Sequence, residues 1–387
     1  MSEEFLRIFA REKLATLKSR GLLRALRETE RHATGITRRN HRELISFSCN
    51  DYLGLSHHPD IVKASLQATR QYGVGAGGSR LISGNNPLYA HLEASLARIK
   101  GTEDAVVFGS GYLANVGVIP VLAGNEDLIL MDDLCHACLF AGATLAQSRV
   151  ISFSHKNTSE LTRLLKKYRK SYRHCLVLTD GVFSMDGDRA PISKLFELCE
   201  HHNAWLMTDD AHGLGVIENG HGSSIVNGHA IPVPLQMGTL SKAVGAYGGY
   251  LCTSKDVADL IRNRARSFQY TTGLPPGNIA AAIKALEIIE MDHQLVNTPL
   301  IHAQRFAKAV GLPEPESPIV PILLGDSEPA LLAAQYLEQQ GFLVVAIRPP
   351  TVPDGTARLR CTFSASHTEN DVDRFSSAIK KILNSNE

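Results

Sequence analysis

From about residue 45 onward, short apolar runs alternate with longer amphipathic stretches, and this alternation constrains the fold more than any other feature. The runs are Ala105–Phe108, Leu128–Met131, Val150–Phe153, Cys175–Thr179, Trp205–Thr208 and Pro234–Met237. Short continuous apolar runs suit strands buried on both faces, and the stretches between them suit crossover helices. The pattern predicts an α/β fold with a large, mostly parallel sheet carrying helices on both faces. In such a sheet the ligand sits beyond the carboxyl ends of the strands. Residues able to do chemistry fall there: Gly109–Tyr112, Asp180, Asp209 to His212, and Thr239 to Lys242.

After a helical stretch, Pro276–Met291, the order changes to helix (Ile301–Val310), strand (Ile319–Leu324), helix (Pro329–Gln340), two strands (Leu343–Ile347 and Ala357–Cys361) and a last helix (Glu369–Leu383). This reads as a smaller α+β domain. The expected division is an N-terminal helical arm over residues 1–45, a large domain over 46–290 and a small C-terminal domain over 291–387. In the arm, Phe5, Leu6, Phe9, Leu14, Leu17 and Leu22 recur at roughly helical intervals among charges. They predict an amphipathic helix packed on the body. The arm lacks the apolar core of a signal peptide, and no later apolar run approaches the roughly 20 residues that span a bilayer. The expectation is a soluble, cytoplasmic chain.

With 40 basic and 39 acidic residues among 387, the net charge is +1. No global field concentrates nucleic acid or an anionic membrane, so a small-molecule partner is expected. Seven cysteines at 49, 135, 138, 175, 199, 252 and 361 are odd in number and scattered, which fits reduced thiols rather than a disulfide framework. Cys135 and Cys138 form a CxxC around His136 but have no second pair at similar spacing, so no metal is expected there. The segment Gly73–Gly78 satisfies GxGxxG, yet it follows a helical pattern, Asp60–Tyr72, rather than a strand. Gly73 therefore reads as a helix stop, not as part of a dinucleotide site.

Three motifs carry chemistry. Gly109-Ser110-Gly111-Tyr112 lies between a strand and a helix, where backbone amides and the helix dipole favour a phosphate. A buried strand runs directly into Asp209, Asp210 and His212; a carboxylate there can keep a pyridine nitrogen protonated, making the ring an electron sink. Met237 to Lys242 follows another strand and precedes glycines, a setting in which a lysine can form an imine with an aldehyde cofactor.

Taken in chain order, the sequence resembles fold-type I pyridoxal-phosphate enzymes, and specifically the α-oxoamine synthases, from about Leu22 to the C-terminal helix. The resemblance runs through Asn50–Leu55, Gly77–Ser79, Ser83-Gly84, Gly181–Asp188, Asp209–Gly213, Thr239–Lys242, Arg348–Pro353 and Leu359-Arg360. It implies pyridoxal 5′-phosphate as cofactor and a decarboxylative condensation of an amino acid with an acyl-CoA. Gly181–Asp188, the Ile347–Arg360 segment and the short N-terminus favour L-alanine and pimeloyl-CoA.

The resemblance also implies roles. Lys242 would hold the cofactor as a Schiff base and then move the Cα proton; Asp209 would pair with the pyridine nitrogen. His136 would stack on the ring, with His212 and Ser184 holding O3′ and its surroundings. The phosphate would lie on Gly111, Tyr112 and Thr239, with Thr271 or Thr272 supplied by the second subunit of a homodimer. Arg360 would take the substrate carboxylate, a task suited to the guanidinium fork. Arg24, Asn50 and Thr351 would contact substrate or intermediate.

Each role has a structural alternative. Ser184 can cap a turn, Asn50 can brace a loop, and Arg360 can be half of an ion pair, leaving Arg358 as the ligand. Fold-type I aminotransferases share Asp209 and Lys242, and a dead partner subunit would be expected to lose them. Four positions depart from the family: Cys135 and Cys138 replace small hydroxyl residues, Tyr112 replaces a frequent phenylalanine, and Gly273 replaces a more usual serine.

Overall fold

In the computed structural model, which describes residues 2–384, seven strands form the main sheet. They are β1 (Asp104–Phe108), β2 (Leu128–Asp132), β3 (Arg149–Phe153), β4 (Cys175–Asp180), β5 (Trp205–Asp209), β6 (Leu235–Thr239) and β7 (Gly249–Thr253). Their order across the sheet is β1-β7-β6-β5-β4-β2-β3. Every neighbouring pair is parallel except those of β7, which runs antiparallel to both β1 and β6.

Alternate residues of one strand enter different cores, as the pleat demands. Ile129 and Met131 pack with Val118, Leu139 and Ile261 on one face, while Leu128 and Leu130 pack with Leu161, Leu195 and Leu206 on the other. Both faces are apolar, which explains why the strands read as continuous runs. β7 escapes the sequence reading because it opens on glycine. That glycine is required: a Cβ on Gly249 would lie 2.4 Å from the Ser110 carbonyl, so the strand can pass beneath the Gly109–Tyr112 turn only without a side chain.

The C-terminal unit has its own antiparallel sheet of Ile319–Gly325, Ala357–Thr362 and Val345–Ile347. Phe47, Phe306, Phe363, Phe375 and Ile379 fill its core. The expected strand over 343–347 is divided. Phe342–Leu343 pairs in parallel with Arg42–Ser46, whereas Val345–Ile347 pairs with Ala357–Thr362. Residues 36–46 are thus strands joined to the C-terminal unit, not a continuation of a helical arm. The helix expected over 301–310 begins at His293, where the Asp292 carboxylate accepts the Leu295 N–H at 2.9 Å.

The first helix, Ser2–Ser19, forms as its periodicity predicts, but its expected packing is corrected: none of its residues is buried. Phe5 and Leu6 are 71% and 66% exposed. The chain is anchored only beyond the helix, where Arg348 donates to the Gly21 carbonyl at 2.8 Å and Arg24 donates to the Thr351 hydroxyl at 3.0 Å. Among the described residues, no helix is long and apolar enough to cross a membrane.

Beneath the sheet's carboxyl edge lies a buried ion pair. Lys100 Nζ donates to Asp210 Oδ2 at 2.7 Å and to the His221 carbonyl at 2.7 Å, and Asp210 also accepts the Ser223 N–H. Removing one member leaves the other charge uncompensated in the interior. Lys100→Met is expected to lower unfolding stability by about 3–5 kcal/mol, read by urea denaturation against the unsubstituted protein.

Candidate active site

Five strand ends and the turns after them converge on one cleft of about 610 Å³, open to solvent. β1 leads into Ser110, Gly111 and Tyr112; β2 leads through a turn to His136; β4 and β5 end on Asp180 and Asp209; β6 ends on Thr239, followed by Ser241 and Lys242. His212, Ser184 and Cys138 complete the lining.

Asp209 sits at the floor, 5% exposed. Its Oδ2 accepts from Asn115 Nδ2 at 2.8 Å, its Oδ1 accepts the Ala211 N–H at 3.0 Å, and the Cys138 thiol lies 3.8 Å from Oδ2. Burial, then the charge of Asp209, pushes the Cys138 thiol up to about 12, so it keeps its proton. Asp180 is opposite Asp209 on the neighbouring strand. Burial and the Asp209 charge raise Asp180 well above the usual carboxylate range, because two adjacent buried carboxylates do not both ionise.

His136 caps the helix Ala137–Ala146, its Nδ1 accepting the Cys138 N–H at 3.3 Å, and burial lowers its pKa. Lys242 Nζ lies 2.6 Å from His212 Nε2, and His212 Nδ1 lies 2.7 Å from the Tyr52 hydroxyl. Burial, reinforced by the Lys242 charge, pushes His212 well below its ordinary value. Burial also brings Lys242 down to about 8, against the pull of Asp209 and with the help of the Arg360 charge. A neutral amine, the nucleophilic form, is therefore abundant near neutrality.

Arg360 reaches the same group of residues from the C-terminal sheet. It donates to Asn50 Oδ1 at 3.0 Å, to the Tyr52 hydroxyl at 3.3 Å and to the Ser184 carbonyl. The neighbouring Arg358 is the paired one, 2.5 Å from Asp186. Among the described residues, no carboxylate lies within ion-pairing distance of Arg360. Of the two arginines, Arg358 is thus half of an ion pair, while Arg360 meets only neutral acceptors.

Not every expected residue meets here. Arg24 and Thr351 touch each other but do not line the cleft, and Asn50 and Arg360, joined to each other, lie behind its lining. Thr271 and Thr272 lie with Arg80, Gly109 and Phe268 in a separate depression of this chain. Sequence reasoning missed Tyr52 and Asn115 as site residues. Asn115 left one signal, an amide inside the apolar stretch Leu113–Leu122, and it is fully buried.

A class I and II aminotransferase family model matches residues 42–379. The chain belongs to that family. This class I and II aminotransferase homologue is 56% identical over 375 residues to 8-amino-7-oxononanoate synthase of Granulibacter bethesdensis, covering 97% of each chain. It is 57% identical to the protein of the same name from Methylocella silvestris, covering 89% of this chain and 98% of that one. Serine palmitoyltransferase from S. paucimobilis, solved with pyridoxal phosphate and myriocin bound, superposes with a TM-score of 0.90 at 27% identity, covering 99% and 98%.

Pyridoxal phosphate is the family's cofactor, and the residues present fit it. The Gly111 and Tyr112 amides at the start of the helix Gly111–Leu122 have no partner within the described chain, while the Ser110 hydroxyl takes the Leu113 N–H. Such orphan donors at a helix N-terminus suit a phosphate. Asp209 suits the pyridine nitrogen, and Lys242 is the amine in the cleft.

Two outcomes follow. Asn115→Ala frees one oxygen of Asp209, and the dissociation constant for pyridoxal phosphate, read by absorbance, is expected to rise roughly tenfold. The rate at which apoprotein recaptures the cofactor is expected to climb with pH through about 8 and then level, as Lys242 loses its proton; a climb continuing to pH 10 would contradict the depressed pKa.

Proposed function

We propose that the protein catalyses the decarboxylative condensation of L-alanine with pimeloyl-CoA, releasing CO2 and coenzyme A and forming 8-amino-7-oxononanoate for biotin biosynthesis. The observation that carries this reading is near-full-length identity of 54–57% to relatives bearing the name of that synthase. The cleft supports it with an amine and a ring-nitrogen partner in its lining, and with the Arg360 guanidinium just behind it, against the Ser184 carbonyl and the Tyr52 hydroxyl.

Bound pyridoxal phosphate supplies an electron sink for charge developing at the amino acid's Cα. The chain's own residues do the rest. Asp209, held by Asn115 and the Ala211 amide, would pair with the ring nitrogen and keep a proton on it. Arg360 takes the carboxylate of alanine and fixes the face presented to Lys242. Lys242 Nζ removes the Cα proton and returns one to the product carbon, a role open to an amine whose pKa lies near the working pH. His212 and Tyr52 hold that amine in place. His136 would stack on the ring, Ser184 would hold the surroundings of O3′, and Thr239 would join Gly111 and Tyr112 at the phosphate.

We place Thr271 and Thr272 at the phosphate of a second copy in a homodimer, since they do not reach this chain's own cleft. Seven free cysteines, six of them buried, fit a reducing cytoplasm. The family model's other members make transamination the competing reading, while 5-aminolevulinate synthase, 2-amino-3-ketobutyrate CoA ligase and serine palmitoyltransferase chemistry differ only in substrate.

Thiol release from pimeloyl-CoA, acetyl-CoA, succinyl-CoA and palmitoyl-CoA, each with alanine, glycine or serine, separates these readings. Release confined to pimeloyl-CoA with alanine, and abolished in Lys242→Ala, is expected. Release with a different pair would replace the substrates and keep the chemistry; none with any pair, together with amino transfer to a keto acid, would overturn the reading.

A further inference from the structure

Two of the turns that line the cleft are tied to a histidine that does not touch it. His155, in the turn after β3, places Nδ1 3.1 Å from Asp132 Oδ1 and Nε2 2.9 Å from Asp188 Oδ2. Asp132 ends β2, and its carboxylate also accepts the Leu134 N–H at 3.0 Å and the Lys156 N–H at 2.7 Å. It therefore shapes the turn that delivers His136. Asp188 closes the other loop, residues 181–188, which carries Val182 and Ser184 into the cleft. Within that loop Phe183 N–H donates to the Asp188 carbonyl at 3.0 Å, and the Phe183 ring meets the His155 ring edge-on at 4.3 Å.

Asp132, Asp133 and His155 also stand close enough together to suggest a cation site. Both ring nitrogens of His155 already face carboxylates, however, which leaves no lone pair for a metal. The imidazole is itself the cation of the cluster. Burial alone would lower its pKa, but the hydrogen bonds to Asp132 and Asp188 outweigh burial and raise it to about 10. The charged groups around it are Asp132, Asp133 and Asp188, with Lys156 2.8 Å from Asp188 and 3.9 Å from Glu316.

We infer that His155 is a positioning residue: by bridging Asp132 and Asp188 it locks together the loops that present His136 and Ser184, and through the Ser184 carbonyl it sets the Arg360 guanidinium. The loop 181–188 is then held from two sides, by His155 at Asp188 and by Arg358 at Asp186. The link to substrate rests on the reading above that Arg360 binds the amino-acid carboxylate.

A neutral residue at 155 loses the bridge, whereas an arginine keeps both the charge and two donors. In His155→Gln holoenzyme, alanine titrated without thioester and followed by cofactor absorbance is expected to bind roughly tenfold more weakly. Its KM should rise by a similar factor with kcat nearly unchanged, and amide hydrogen exchange across 181–188 should quicken. His155→Arg should restore all three to within about threefold. Because the folded pKa is raised from 6.5 to about 10, the bridge contributes fully below 6.5 and is lost as pH rises through 10. The melting-temperature gap between the unsubstituted protein and His155→Gln should narrow across that window.

Unchanged alanine binding and loop exchange in His155→Gln would overturn the inference, as would equal impairment in His155→Arg. Normal alanine binding in Arg360→Ala would instead remove the carboxylate reading, and loop exchange alone would then judge His155.

Discussion

The placement of the catalytic turn depends on one charge pair with no access to solvent. Asp210, between the cleft-lining Asp209 and the turn that carries His212, points away from the cleft into a cage made by Lys100, the Ser223 amide and three glycines. A Cβ at Gly213 or at Gly222 would lie 1.9 Å from its carboxylate oxygens. The cage can therefore close on the carboxylate only with hydrogen at those positions. Asp209 is the last residue of β5, and the Asp210 N–H still bonds to the Met237 carbonyl of β6, so the alternation of the strand carries one residue further and the two acids face opposite ways. Fixing one with a lysine fixes the direction of the other.

That arrangement lets the cleft carry carboxylates without filling with negative charge. Asp180 and Asp209 end adjoining parallel strands in register, so their side chains are neighbours by construction. Asp209 receives an amide and a backbone N–H, with a thiol nearby. Asp180 receives only the His136 N–H at 3.3 Å and stays protonated. Burial and the Asp209 charge hold Asp180 in its protonated form, and its one N–H donor does not offset them.

The strands and their order of chemistry were legible in the sequence because both faces of the sheet are buried, which writes each strand as an unbroken apolar run ending on a polar residue. Lys242, Asp209 and the phosphate turn were legible for the same reason, since each stands just past such a run. β7 was not, because glycine carries no hydrophobic signal and its presence reports a close approach to Ser110. Arg358 and Arg360 are two apart on one strand and look equivalent in sequence; only the position of Asp186 separates them. The first helix shows the converse limit: periodicity specifies an apolar face but not what covers it.

Arg360, Tyr52, His212 and Lys242 form a continuous line of contacts across the cleft. The Arg360 charge is one of the influences that hold the Lys242 pKa down. An anion seated on Arg360 cancels that charge, and the amine at the far end then grips a proton more strongly. On the roles proposed above, an amino acid docking by its carboxylate would strengthen the base that is to deprotonate it, while without that anion the same amine stays weakly basic and suited to bond an aldehyde. One lysine would then serve two chemical tasks that call for opposite proton affinities, with the ligand itself selecting between them.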